Sequence, residues 1–230
     1  MRKDPLVTEQ YYHIYNRGVD KRDIFMNHND LKRFVLDIQE FNFSEPIRSI
    51  QSISRKKTDI DRLKNEGAPL VSIVCYCFNP NHFHFIIKQE VEGGISEFFK
   101  RLLGGYTTYF NKTHKRSGAL FQGRFKSNLI KNEDYFLKIR PYVNTNFLVH
   151  DIPSEKSHLV LSSCKEYDDL IFNLVSKPEA INLLEFYGSN KNFKNECLKV
   201  ASMVRVERGN KSLFFEDLED IKNSGPTPTD

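Results

Sequence analysis

The sequence predicts an α+β chain: a ferredoxin-like split βαβ antiparallel sheet with one added helix and a helical C-terminal extension. Three observations predict it. Residues 8–16 alternate and are rich in aromatics, as a half-buried strand requires. Two apolar runs, Leu70 to Tyr76 and His82 to Gln89, flank the turn signal Asn79-Pro80-Asn81 and read as a hairpin. Helical stripes before and after that hairpin give the order β-α-β-β-α-β-α, the pattern of the split βαβ sheet.

Each element has its own justification. Arg17-Gly18-Val19-Asp20 ends the first strand, and Asn29-Asp30 opens a helix carrying Leu31, Phe34, Val35, Ile38 and Phe41 on one stripe. Residues 45–67 are polar, basic and weakly patterned, a surface excursion between elements. Antiparallel pairing through the hairpin is expected to put the second and third strands near the centre of the sheet. Gly93-Gly94 precedes a second helix with Ile95, Phe98, Phe99, Leu102, Leu103, Tyr106, Tyr109 and Phe110 on one stripe; Gly104-Gly105 weakens its middle by about 1 kcal/mol per glycine relative to alanine. Phe125 to Ile130 is the best candidate for the last strand. Asn132 caps a third helix, expected from Glu133 to about Phe147, with Glu133 and Asp134 at its positive end. Helical patterns then recur at 165–175, 178–187, 191–207 and 211–222. The expected division is residues 1–150, a helical extension over 151–222, and a disordered tail over 223–230, where Gly225, Pro226 and Pro228 stand.

The composition bounds the function. A hydrophobic fraction of 39% with 19 Phe is enough to build a core, which argues against wholesale disorder. No run of 18 apolar residues exists, so no transmembrane helix is expected, and the charged start Met1-Arg-Lys-Asp-Pro lacks the apolar stretch of a signal peptide; a cytoplasmic location follows as an expectation. Four scattered cysteines do not make a disulfide framework. Cys75 and Cys77 are a C-x-C pair whose spacing is unusual for zinc, and two small buried strand residues is the plainer reading. The net charge of +4 says little, but its distribution says more. Between Glu97 and Glu133 there is no acidic residue, while Lys100, Arg101, Lys112, Lys115, Arg116, Arg124, Lys126 and Lys131 alternate with aromatics. Cations neutralise phosphates and aromatic faces stack on unpaired bases, so this stretch points to nucleic acid. Residues 165–230 lean acidic and are not expected to bind a phosphate backbone.

The chemistry concentrates in two places. In His82-Phe83-His84 the strand alternation puts both imidazoles on one face and Phe83 on the other. Such a pair is a compact pincer for a divalent cation, or else two histidines on a solvated strand face. Tyr142 and Asn146, four residues apart, share one face of the third helix. Asn146 offers a hard carbonyl oxygen suited to Mg²⁺ or Mn²⁺, and Tyr142 offers a phenol, which with a free pKa of about 10 needs help to attack as phenolate. Packing for Tyr142 and helix capping for Asn146 is the alternative.

The segment Tyr76-Cys-Phe-Asn-Pro-Asn-His-Phe-His-Phe-Ile-Ile87 resembles the motif region of HUH one-tyrosine transposases, especially the REP-associated tyrosine transposase branch. Further blocks match in order: Tyr12-His-Ile-Tyr-Asn-Arg-Gly18, Tyr109-Phe-Asn-Lys112, Ser117-Gly118 with Leu120-Phe-Gln-Gly-Arg-Phe-Lys126, Tyr142-Val-Asn-Thr-Asn146, and Ser162-Ser163 with Tyr167. The resemblance covers roughly residues 8–168. It implies that His82, His84 and Asn146 hold one Mg²⁺ or Mn²⁺ and that Tyr142 is the nucleophile, with His82 and His84 serving catalysis through the metal. It also implies single-stranded DNA, with hairpin ends, as substrate. The protein would be a monomer or a homodimer. Arg17, Lys100, Arg101, Lys112, Arg116, Arg124 and Lys126 are the candidate DNA-binding cations.

The chain departs from that family at Pro141, where a non-proline residue usually precedes the tyrosine, and at Phe147, where proline often follows the asparagine. Proline removes a helical hydrogen bond and crowds the preceding turn, so a kink or a fresh helix start is expected at Tyr142. Tyr135, seven residues earlier on a similar face, is the rival nucleophile. Two other classes share the site chemistry: a non-catalytic nucleic-acid-binding module of the same fold, and a replication initiator or relaxase. The histidine pair precedes the tyrosine, unlike the usual relaxase order, and no Gly-x4-Gly-Lys-Ser/Thr loop is present.

Overall fold

The computed structural model describes residues 4–44, 68–150 and 152–210, with the side chains of 207–210 excepted. The predicted excursion at 45–67, the helical pattern at 211–222 and the tail at 223–230 lie outside the described residues.

The elements are β1 (Tyr11–Arg17), α1 (His28–Phe41), β2 (Val71–Asn79), β3 (His82–Gln89), α2 (Gly94–Thr113), β4 (Lys126–Leu129), α3 (Glu133–Asn144), α4 (Asn146–Val149), β5 (Leu161–Ser162), α5 (Cys164–Asp169), α6 (Lys177–Tyr187) and α7 (Asn190–Asn210). The sheet runs β4-β1-β3-β2-β5, and every pair is antiparallel. This is the expected α+β split βαβ sheet, with one difference in placement. β3 is central as expected, but β1 is its other inner neighbour, and β2 is bounded only by the two-residue β5, a strand too short to leave a sequence signal.

Helix starts follow their caps. α1 begins three residues before the apolar stripe, because the Asn27 side chain accepts from the Asn29 and Asp30 amides and Asp30 bonds back to the Asn27 amide. Gly94 lets the start of α2 approach the Leu70 carbonyl, where a Cβ would stand 2.3 Å from that oxygen. Gly105 makes the same allowance for the Phe41 ring, the packing reason for a glycine in mid-helix.

Strand alternation divides the sheet into two faces. One carries Ile14, Phe78, Phe83 and Phe85, buried with Phe25, Phe34, Phe98, Phe99 and Tyr106 beneath α1 and α2. The other carries Tyr11, His13, Tyr15, Arg17, Cys75, Cys77, His82 and His84, and α3 lies over it. Residues beyond 150 close the β2 side of the molecule. Tyr167 donates to the Val74 carbonyl at 2.6 Å, the Ser176 amide to the Ile73 carbonyl, and Tyr11 to the Glu179 carboxylate on α6. The second and third of the C-terminal helical patterns hold, but 165–175 stops at Asp169: Leu170 turns left-handed (φ 55°), and the Glu166 carboxylate gathers the amides of Asn173, Leu174 and Val175 along with the Tyr76 hydroxyl. No helix among the described residues is long and apolar enough to cross a membrane.

Candidate active site

β3 presents His82 and His84 to a cleft that also takes in Tyr15, Arg17, Lys21, Tyr142 and His150. The register explains the gathering: Arg17 lies opposite His82 and Tyr15 opposite His84, so their side chains rise from the same face. The imidazole of His13 lies one further step along β1, where its Nε2 is 2.9 Å from Nδ1 of His84. His13, His84 and Tyr15 stack with ring centroids 5.0–5.7 Å apart.

α3 brings Tyr142 over this face. The helix runs through Pro141, so it does not begin afresh at the tyrosine, one of the two outcomes expected there. Tyr142 is buried, and its ring meets His84 edge-on with centroids 6.1 Å apart. The break falls instead at Thr145 (φ −112°, ψ 19°), whose hydroxyl and amide both turn to the Pro141 carbonyl. Thr and Asn side chains compete with helical hydrogen bonds in this way. The Asn144 amide reinforces the break, its oxygen accepting from Ser163 and its nitrogen contacting Cys164 and Cys197. Tyr142 and Asn146 therefore stand on two helices rather than on one face of a single helix, yet both reach the histidines.

Asn146 is fully buried, and its Oδ1 lies 3.1 Å from Nε2 of His82. The Asn79 amide nitrogen bridges the two, 2.9 Å from the histidine nitrogen and 2.8 Å from the asparagine oxygen. His82 Nδ1 contacts the Asn81 side chain at 2.6 Å, which fixes the ring plane. His82 Nε2, Asn146 Oδ1 and the Asn79 amide nitrogen thus meet at one point. Ligands of a 2.0–2.1 Å octahedral cation at right angles stand about 3 Å apart, so this separation fits a Mg²⁺ or Mn²⁺ shell edge. Among the described residues no three His, Cys, Asp or Glu side chains cluster to hold a metal.

The cationic residues divide by face. Arg17 lines the cleft and reaches Gln122. Arg124 is exposed in the turn tied to β1, where the Gln122 amide donates to the Arg17 carbonyl and Asn16 donates to the Gly123 carbonyl. Lys126 on β4 lies over the Tyr15 ring at 5.6 Å. Lys100, Arg101 and Lys112 ride on α2, against the phenylalanine face and away from the histidines. Arg101 is held by Glu97 and the Phe43 carbonyl, and Arg116, just past the helix, by Asn111 and the Ala119 carbonyl. Cys75 and Cys77 are buried, and burial pushes both thiols up, favouring the protonated form.

Sequence reasoning missed His13, Asn79, Lys21 and His150. His13 was visible as a residue in phase with Tyr15 and Arg17, but its contact with His84 needs the β1–β3 register. Lys21 reaches the rim because Asp20 and Lys21 both adopt left-handed backbone, φ 54° and 59°. His150 packs on His82 with ring centroids 4.5 Å apart, beyond the helix break that no local pattern announces.

Residues 63–146 match the family model described as "Transposase IS200 like". That segment holds the histidine pair, Tyr142 and Asn146. Over it, the chain is similar to the IS200-like transposases. A solved structure titled as a REP-associated tyrosine transposase bound to a REP hairpin is similar with a TM-score of 0.45 and 11% identity, covering 76% of this chain and 90% of that one. No curated protein matches the chain.

Proposed function

We propose that this protein is an IS200-like transposase, a single-strand DNA endonuclease and strand transferase with Tyr142 as nucleophile and His82, His84 and Asn146 as the ligands of one Mg²⁺ or Mn²⁺. The observation that carries the reading is the convergence of His82 Nε2 and Asn146 Oδ1, 3.1 Å apart, in the cleft where Tyr142 meets His84. The His13 contact engages Nδ1 of His84, so Nε2 is the atom through which His84 reaches the cation. When bound, the cation supplies Lewis-acid polarisation of the scissile phosphate. A shell without carboxylates leaves its charge for phosphate oxygens, so affinity for the ion should rise when DNA is present.

Tyr142 forms the new bond to phosphorus while the bond to the 3′ oxygen breaks, giving a 5′-phosphotyrosine and a 3′-hydroxyl. Attack by a second 3′-hydroxyl breaks the phosphotyrosine bond and restores a phosphodiester, with no external energy source. Arg17, Lys21, Arg124 and Lys126 stand where a strand would enter the cleft, and they are the cations proposed to hold its phosphates. The substrate is proposed to be single-stranded DNA ending in a folded hairpin.

The test is a denaturing gel of the protein with end-labelled hairpin oligonucleotides and Mn²⁺. A covalent adduct that persists in Tyr135→Phe and disappears in Tyr142→Phe and His82→Ala supports the assignment. DNA binding with no adduct on any hairpin would instead mark a non-catalytic module.

A further inference from the structure

Pro141 has no amide hydrogen, so the carbonyl four residues back, that of Leu137, loses its helical donor. A partly buried carbonyl without a donor loses stability, and in this chain the donor comes from elsewhere. The Tyr187 hydroxyl at the end of α6 donates to Leu137 O at 3.1 Å. The same ring, with those of Phe136 and Phe186, surrounds the Arg140 guanidinium at 5.6, 4.1 and 5.3 Å. Arg140 is buried, and its Nε donates to the Phe136 carbonyl. Leu137 and Arg140, in the turn that leads to Tyr142, are therefore both held by α6 rather than by the helix alone.

The geometry points to Tyr187 as a positioning residue for Tyr142: its hydroxyl supplies the hydrogen bond that Pro141 removes, and so it sets the helix turn from which the nucleophile projects. This inference rests on Tyr142 being the nucleophile. It gives the C-terminal helices a part in the reaction without any contact with DNA. It also makes a reciprocal demand, since a residue with an amide hydrogen at position 141 makes the Tyr187 hydroxyl dispensable.

That reciprocity is the test, made on the full chain with Tyr187→Phe, Pro141→Ala and the double variant. Phenylalanine keeps the ring beside Arg140 and removes only the hydroxyl. Two quantities are read: hydrogen exchange of the amides over residues 137–144, and the single-turnover rate of adduct formation with a labelled hairpin oligonucleotide in Mn²⁺, alongside its Kd. Tyr187→Phe is expected to speed exchange and slow adduct formation about tenfold at unchanged Kd, and the double variant to recover both. Unchanged exchange and rate in Tyr187→Phe, or a double variant no better than Tyr187→Phe, would overturn the inference. If the unaltered protein forms no adduct, the nucleophile assignment fails by itself, and the exchange measurement alone decides whether Tyr187 and Pro141 compensate.

Discussion

Along β3, Phe83, Phe85 and Ile87 turn to one side of the sheet, and His82 and His84 turn to the other. Each phenylalanine is fully buried in a layer of rings contributed by α1 and α2. The histidines meet an open cleft, a second strand of polar residues and a helix held by hydrogen bonds from the C-terminal helices. Both sides grow from one eight-residue strand. The difference teaches how a small sheet supports a reactive site: the apolar side supplies stability, so the polar side can carry groups that contribute little to folding. Removing a group from one side should therefore change stability, and from the other, chemistry.

The largest effect expected is on chemistry. Tyr142→Phe should slow adduct formation by at least about a thousandfold, while the thermal midpoint moves little, since only a hydroxyl is lost. Next comes Phe83→Ala, which should destabilise by about 3–5 kcal/mol through the cavity left among the rings. His82→Ala, one residue away, should cost less than about 1 kcal/mol in the same denaturant titration yet weaken Mn²⁺ binding measured by electron paramagnetic resonance. Equal destabilisation by the two changes would break the comparison of faces.

On the apolar side acidic residues of α1 are buried as well, Asp37 among them. Asp37 on α1 pairs with Arg33 at 2.7 Å, but desolvation outweighs the pairing and raises its carboxyl from 3.8 to about 6. A folded-state value above the unfolded one favours the folded protein while the group is protonated. This contribution is complete below about pH 4 and is lost as pH rises through about 6. Stability should fall by about 1–3 kcal/mol from pH 4 to pH 7 through this group, and Asp37→Asn should remove that part of the slope in denaturant titrations at each pH. The smallest effect separates the cations. Arg17→Ala should weaken hairpin binding about tenfold, with a shallower salt dependence, and Lys100→Ala on the opposite side should change it less than about twofold. A larger loss for Lys100 would mean that DNA also tracks α2.

Much of this was legible in the sequence because it depends on short-range periodicity. The phase of His82-Phe83-His84 announces which residues share a face, and the stripe from Ile95 to Phe110 announces α2. What escaped depends on partners far along the chain. His13 and His84 are 71 positions apart, and only the β1–β3 pairing brings them within 2.9 Å. Pro141 is visible as a helix breaker, but the hydroxyl that offsets it comes from Tyr187, 50 residues beyond Leu137. The break at Thr145 follows from side chains turning to Pro141 and Ser163, again a tertiary matter. The basic stretch from Lys100 to Lys131 reads as one surface in the sequence; α2 and β4 divide it between opposite sides of the sheet.

The most direct test of the central claim is to digest the covalent DNA adduct and locate the nucleotide-bearing peptide by mass spectrometry. The account predicts a 5′-phosphotyrosine at Tyr142, with none at Tyr135. A nucleotide attached to Tyr135, or to any residue outside the histidine face, would contradict it.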